Sequence, residues 1–156
     1  LERGKKFKRK LVLTDAYFSM DGDIAPLDRL LEVCEKHDAW LMIDEAHSTG
    51  VFGKNGSGLA EHFGLSGKVH VVMGTLSKAL GSVGGFIAGS AILREYLINR
   101  CRQFIYTTAP APAASGAVLE AIKIIRSEPL FRKRYWEKIA FVRERLKALN
   151  FDLFDS

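Results

Sequence analysis

The sequence predicts an α/β fold, a mostly parallel sheet flanked by helices. Three observations carry that expectation. Apolar runs of strand length recur at 11–14, 39–43 and 69–73. A segment with one apolar helical face separates the first two, and further helical segments follow the third. The second and third runs end in polar residues and glycine-rich turns, the pattern of strands whose ends meet a ligand rather than a core.

The elements follow in order. Leu11-Val12-Leu13-Thr14 is a first buried strand, and the polar stretch 19–23 is the loop after it. Pro26 suits the first turn of a helix, where its missing N–H is no loss. Leu27, Leu30, Leu31 and Cys34 recur at i, i+3, i+4 and i+7, giving that helix one apolar face. Residues 39–43 form the second strand. Strand, helix, strand in that order favours a parallel pair with a crossover helix. Residues 50–58 are a glycine-rich loop, 69–73 a third core strand and 85–89 a fourth. Ser90 can cap a helix that buries Ile92, Leu93, Tyr96 and Leu97. Another helix covers 113–126. Ser127 and Pro129 then open a long one with Trp136, Ile139, Val142, Leu146 and Leu149 on its inner face.

The chain of 156 residues, 47% hydrophobic and 26% charged, has the balance of an ordinary globular protein. No apolar stretch reaches the roughly 20 residues of a membrane span. The nearest, 109–125, holds two prolines, Glu120 and Lys123. The start lacks the apolar core of a secretory signal, so a cytoplasmic protein is expected. Cys34 and Cys101 fall in separate predicted helices without metal-ligand spacing and read as buried reduced thiols, with no metal implied. The net charge of +5 comes largely from Lys5, Lys6, Lys8, Arg9, Lys10 and the segment 132–147. Solvated faces account for such runs, and neither nucleic acid nor membrane is expected as a partner. The chain starts just before a core strand and stops where a new element begins at 151–156. A small sheet with open edges invites edge-to-edge pairing, so the expectation is a piece truncated at both ends.

Function is written at the strand ends. Asp44 and His47 follow the run 39–43; Thr75, Ser77 and Lys78 follow the run 69–73, inside Gly74-Thr75-Leu76-Ser77-Lys78-Ala79-Leu80-Gly81. A carboxylate at the end of an apolar strand needs a partner, because burying it alone is costly. A protonated pyridine nitrogen would be one. A lysine amine bonds to an aldehyde as a Schiff base once deprotonated, which a low-dielectric pocket favours. His47 can contact the same ring, and hydroxyls with glycine-turn amides can hold a phosphate. Anion, imidazole, phosphate anchor and amine together suit pyridoxal 5'-phosphate. Each alone has a plainer explanation: a cap or salt bridge for Asp44, a structural ring for His47, a solvated surface amine for Lys78.

At these residues the chain resembles the α-oxoamine synthases, which are fold-type I pyridoxal-phosphate enzymes. The matching text is Asp15-Ala16-Tyr17-Phe18-Ser19-Met20-Asp21-Gly22-Asp23-Ile24-Ala25-Pro26-Leu27 and Ile43-Asp44-Glu45-Ala46-His47-Ser48-Thr49-Gly50. It continues with Gly53-Lys54-Asn55-Gly56-Ser57-Gly58, Gly74 to Gly81, and Ile105-Tyr106-Thr107-Thr108-Ala109. The resemblance implies part of the large domain of such a transferase over 1–126. For 127–156 it implies a long connecting helix and the start of a small domain. It makes Lys78 the covalent cofactor lysine, Asp44 the partner of the ring nitrogen, and Ser19 and His47 the contacts of the phenolic oxygen. Thr75, with Ser77, would hold the phosphate. Thr107 and Thr108 would reach the phosphate of a neighbouring subunit's cofactor, in a homodimer with its site at the interface. The implied reaction condenses an amino acid with an acyl thioester, on coenzyme A or an acyl-carrier protein, with loss of carbon dioxide. Asp15 stands where the family pattern has glutamate. Family elements on both sides are missing, so this piece alone is expected to be inactive.

Two rivals compete. Leu41-Met42-Ile43-Asp44-Glu45-Ala46-His47 also spells the DEAH motif that binds Mg²⁺ in nucleic-acid-dependent NTPases. That reading needs an upstream G-x-x-x-x-G-K-[ST] loop, which residues 1–43 lack, and it leaves 74–81 unexplained. A non-catalytic subunit would keep the fold but has no use for Lys78 and Asp44 together.

Overall fold

The computed structural model describes residues 1–153. After a single 3₁₀ turn at Glu2–Gly4, strand β1 (Leu11–Asp15) leads through a loop to helix α1 (Leu27–Lys36) and strand β2 (Trp40–Asp44). A glycine-rich loop and the short helix α2 (Leu59–His62) precede strands β3 (Val71–Thr75) and β4 (Gly85–Gly89). Helices α3 (Ala91–Arg100), α4 (Arg102–Ile105), α5 (Pro112–Ser127) and α6 (Pro129–Ala148) complete the described chain. Phe151 to Leu153 carry no regular structure, and the rest of the element expected at 151–156 lies outside the described residues.

The strands form one sheet in the order β1-β2-β3-β4. β1, β2 and β3 are mutually parallel, and β4 returns antiparallel to β3. The first parallel pair is joined across α1, as strand-helix-strand order requires. α1 presents Leu27, Leu31 and Cys34 to the sheet, where they meet Leu41 and Ile43 of β2. Each fully buried leucine there contributes about 2 kcal/mol. α1 ends as His37 leaves helical geometry and Asp38 takes a φ of +49°, a left-handed position that short polar side chains tolerate.

Side chains alternate between the two faces of each strand. Register therefore groups Val12, Thr14, Leu41, Ile43 and Val72 on the α1 side, and Leu13, Asp15, Met42, Asp44, Met73 and Thr75 on the other. The described residues leave much of that second face open. Leu11 and Leu13 are 58% and 64% exposed, so β1 is not the buried strand expected. Trp40 and Ile87 are exposed on the same face. Layered folds cover both faces of a parallel sheet; only the α1 side of β1 and β2 is packed here.

Other expectations shift as well. β3 begins at Val71 rather than Val69, because the ladder to β4 runs from Val71 opposite Gly89 to Thr75 opposite Gly85. α3 forms with Ser90 as its cap, Leu93 N donating to Ser90 Oγ at 3.2 Å. It buries none of its residues, however, and Ile92 is 83% exposed. Cys101 stands partly exposed at the α3–α4 junction, not inside a helix. Val142 on α6 and Leu149 just past its end are exposed, and the buried side chain of the helix is Arg132, which the basic pattern had placed in solvent.

Candidate active site

Six of the candidate residues, Ser19, Asp44, His47, Thr75, Ser77 and Lys78, end the parallel strands or lie in the loops that follow their carboxyl ends. Asp44 is the last residue of β2 and Thr75 the last of β3. Asp44 lies opposite Met73 in the ladder, two residues before Thr75, so both side chains point to the open face. The strand tips are tied across this edge. Ala16 N donates to Asp44 O at 2.9 Å, and Glu45 N to Met73 O at 2.7 Å.

Asp44 is half-buried, and its Oδ1 accepts from Ala46 N at 2.8 Å. That bond bends the chain at the strand end and brings His47 onto the same tip. No cation pairs with Asp44 among the described residues. Thr75 Oγ1 lies 2.7 Å from Ser77 Oγ, donates to Gly84 O at 3.1 Å and accepts from Ser77 N at 3.2 Å. These bonds shape the turn from β3 to β4, which Leu76 N closes on Gly84 O at 2.9 Å. Lys78 rides on this turn. Lys78 is exposed, so the described residues do not supply the low-dielectric pocket expected for it. The turn passes through Gly81, whose φ of +62° favours glycine; a Cβ there would meet nothing within 4 Å.

Ser19 is exposed in the loop after β1, which Phe18 N closes on Asp23 O at 2.9 Å. It shares the edge with Asp44 through the neighbouring strand. Thr107 and Thr108 are exposed in the irregular segment after α4 and are not drawn to this edge by any described contact.

The acid next to Asp44 has a different task. Glu45 is 0% exposed; its carboxylate accepts from Leu59 N at 2.8 Å, Ala60 N at 2.7 Å and the Ser48 hydroxyl. It caps α2 from 14 residues away and ties the His47 turn to that helix. Sequence reading passed over it, although an acid inside an apolar-to-turn junction needs donors to be buried. Its engagement also removes the DEAH alternative, which needs that carboxylate free. Glu61 is a second overlooked acid. It accepts from Ser57 N at 3.0 Å and Asn55 N at 3.1 Å, closing the glycine-rich loop.

A half-buried carboxylate with no cation beside it among the described residues, an imidazole on the same strand end, a hydroxyl pair on the next turn and an exposed amine are the kinds of group that suit a cationic ring bearing a phosphate and an aldehyde. A sheet edge built this way is the large-domain arrangement of fold-type I pyridoxal-phosphate enzymes. Residues 1–156 match the aminotransferase class I and II family, and the chain belongs to it.

The chain is 44% identical, over its full length and 40% of the relative's, to 8-amino-7-oxononanoate synthase 1 of Bacillus subtilis. It is 43% identical to 8-amino-7-oxononanoate synthase of Alkaliphilus metalliredigens, over 97% of this chain and 38% of the other. Among solved structures it matches serine palmitoyltransferase from S. paucimobilis with bound PLP-myriocin aldimine. That match has a TM-score of 0.90 and 35% identity, over 97% of this chain and 40% of the other. The chain thus spans about 40% of the length of these relatives.

Proposed function

We propose that the protein carrying this chain is a pyridoxal-phosphate-dependent C-acyltransferase of the α-oxoamine synthase kind. Its proposed reaction is that of 8-amino-7-oxononanoate synthase, in which L-alanine and a pimeloyl thioester condense with loss of carbon dioxide. The observation that carries this reading is the identity of 42–48% to curated relatives of that name over nearly the whole chain. The strand-end chemistry supports it.

Bound pyridoxal phosphate would supply an electron sink for the carbanion formed from the amino acid. Asp44 would hold the proton on the ring nitrogen, a role supported by its place at the end of β2. His47 and Ser19 would orient the phenolic side of the ring. Thr75 and Ser77 would bind the phosphate by turning a hydroxyl proton outward from the pair they now form. Lys78 Nζ would bind the aldehyde and, once released by the substrate amine, take the α-proton. Thr107 and Thr108, which no described contact ties to this edge, would reach the phosphate of a second subunit's cofactor. Residues 1–126 are assigned to the cofactor-binding large domain, and 127–156 to the connecting helix and the start of a small domain.

The test uses the full-length protein. Loaded with pyridoxal phosphate it should absorb in the violet-to-visible range, lose that band on borohydride reduction and carry the reduced adduct on Lys78. With L-alanine and pimeloyl-CoA it should release carbon dioxide and the expected aminoketone. Turnover with glycine and acetyl-CoA alone would overturn the substrate assignment, and an adduct on another lysine would overturn the site.

A further inference from the structure

Two side chains of α6 reach back to the loop that follows His47. Arg132 is 8% exposed, and its guanidinium donates to Lys54 O at 2.6 Å and to Ile125 O. Trp136 Nε1 donates to Val51 O at 3.2 Å, and its ring meets Phe52 edge-on at 5.1 Å. No carboxylate pairs with Arg132 among the described residues; carbonyl oxygens from two separate segments meet its charge. A planar fork of fixed donors can bridge two carbonyls in this way, where a lysine offers one point charge.

The clamped loop touches the Lys78 turn. Gly50 N closes the loop on Gly56 O at 2.8 Å. A Cβ on Gly56 would stand 2.6 Å from Ile125 Cγ2 and 3.1 Å from Arg132 Nη1, so the loop is seated directly on the α5–α6 corner. At its other end Gly50 (φ +81°) lies against Ala79, where an added Cβ would come within 2.8 Å of the alanine Cβ. Ser82 Oγ donates to Ala114 O at 3.0 Å and ties the far side of the same turn to α5. Contact therefore runs from Arg132 through Lys54, Gly56 and Gly50 to Ala79, the neighbour of Lys78.

We infer that Arg132 is a positioning residue for Lys78, with Trp136 in support. By fixing the 50–56 loop to the helix corner, it sets the seat against which Ala79 packs and hence where the lysine amine stands relative to Asp44 and His47. The inference rests on the reading of Lys78 as the cofactor-binding amine. Its signature is the pH midpoint of the visible band, which reports the surroundings of the Lys78 nitrogen and does not respond to a uniform loss of stability.

The test compares full-length wild type, Arg132→Met, Arg132→Lys and Trp136→Phe, each loaded with pyridoxal phosphate and titrated with pH. Arg132→Met should shift the midpoint by about half a pH unit or more and lower kcat about 10- to 100-fold, as slight misplacement of a reacting group does. Arg132→Lys should fall between wild type and Arg132→Met, and Trp136→Phe should shift less. If Arg132→Met does not fold, Arg132→Lys and Trp136→Phe decide the matter. Folded variants that keep the wild-type midpoint and kcat would overturn the inference and leave the assignment of Lys78 intact. A wild-type protein without a visible band would instead overturn the reading on which the inference stands.

Discussion

Asp44 and Glu45 are consecutive acids sent to opposite sides of the same strand end. Asp44 opens onto the uncovered face with no cation beside it among the described residues, whereas Glu45 is sealed behind it with three donors on its carboxylate. One extended residue separates a chemical task from a structural one.

Substitution should split those tasks. In the full-length protein Asp44→Asn should keep the wild-type unfolding midpoint and lose activity by about 100-fold or more, the scale of a removed electrostatic partner. Glu45→Ala should leave Leu59 N, Ala60 N and the Ser48 hydroxyl without an acceptor and destabilise by about 3 kcal/mol. Urea unfolding and steady-state rates on both variants check this. Equal stability losses would contradict it.

Gly58 supports the same carboxylate. Its φ is +120°, and a Cβ there would come within 2.4 Å of Glu45 Oε2. Gly58→Ala should therefore cost about 2–4 kcal/mol through backbone strain and overpacking together. Gly64 has a φ of +68°, but a Cβ there would meet nothing within 4 Å. Gly64→Ala should cost only about 1 kcal/mol. Thermal unfolding of the two variants separates crowding from strain.

The parts of the fold legible in sequence are those fixed by local pattern. Leu27, Leu31 and Cys34 at helical spacing gave α1 and its buried face, and the apolar runs gave the strands of the sheet. The candidate residues at the sheet edge stood out because strand ends, polar residues and glycine turns coincide at Asp44 and Lys78. What escaped was tertiary. Nothing local marks Arg132 as buried, since its partners Lys54 and Ile125 lie in other elements. Ile92 and Leu13 have the apolar character of core residues, but their burial depends on a layer the described residues do not provide.

Acid should loosen the glycine-rich loop through Glu61. Its carboxyl lies below the ordinary value of 4.5: burial by itself would raise it, and hydrogen bonds from Ser57 and Asn55 outweigh that. A carboxyl lowered on folding contributes stability above its unfolded value, and loses that contribution as pH falls through the folded one. The stability difference between wild type and Glu61→Gln should be constant above about pH 5.5 and shrink below about 4.5. Urea midpoints measured from pH 7 to pH 3 check it. A difference that grows toward acid would reverse the sign and refute the assignment.

Thr75 has a double role that two substitutions can resolve. Its hydroxyl already holds the turn through Gly84 O and Ser77, and the proposed phosphate contact needs one proton of that pair to turn outward. Thr75→Ser keeps the hydroxyl and loses only a methyl group, so cofactor affinity should stay within about threefold of wild type. Thr75→Ala removes a hydrogen bond to a charged group, worth about 1.5–3 kcal/mol, and should weaken pyridoxal phosphate binding roughly 10- to 100-fold. Ser77→Ala should weaken it less, because the Thr75 hydroxyl remains and can turn its proton from Gly84 O to the phosphate. Titration of the full-length apoprotein, followed by absorbance, ranks the three. If Thr75→Ala binds as tightly as wild type, the hydroxyl serves the turn alone, and the phosphate must be held elsewhere.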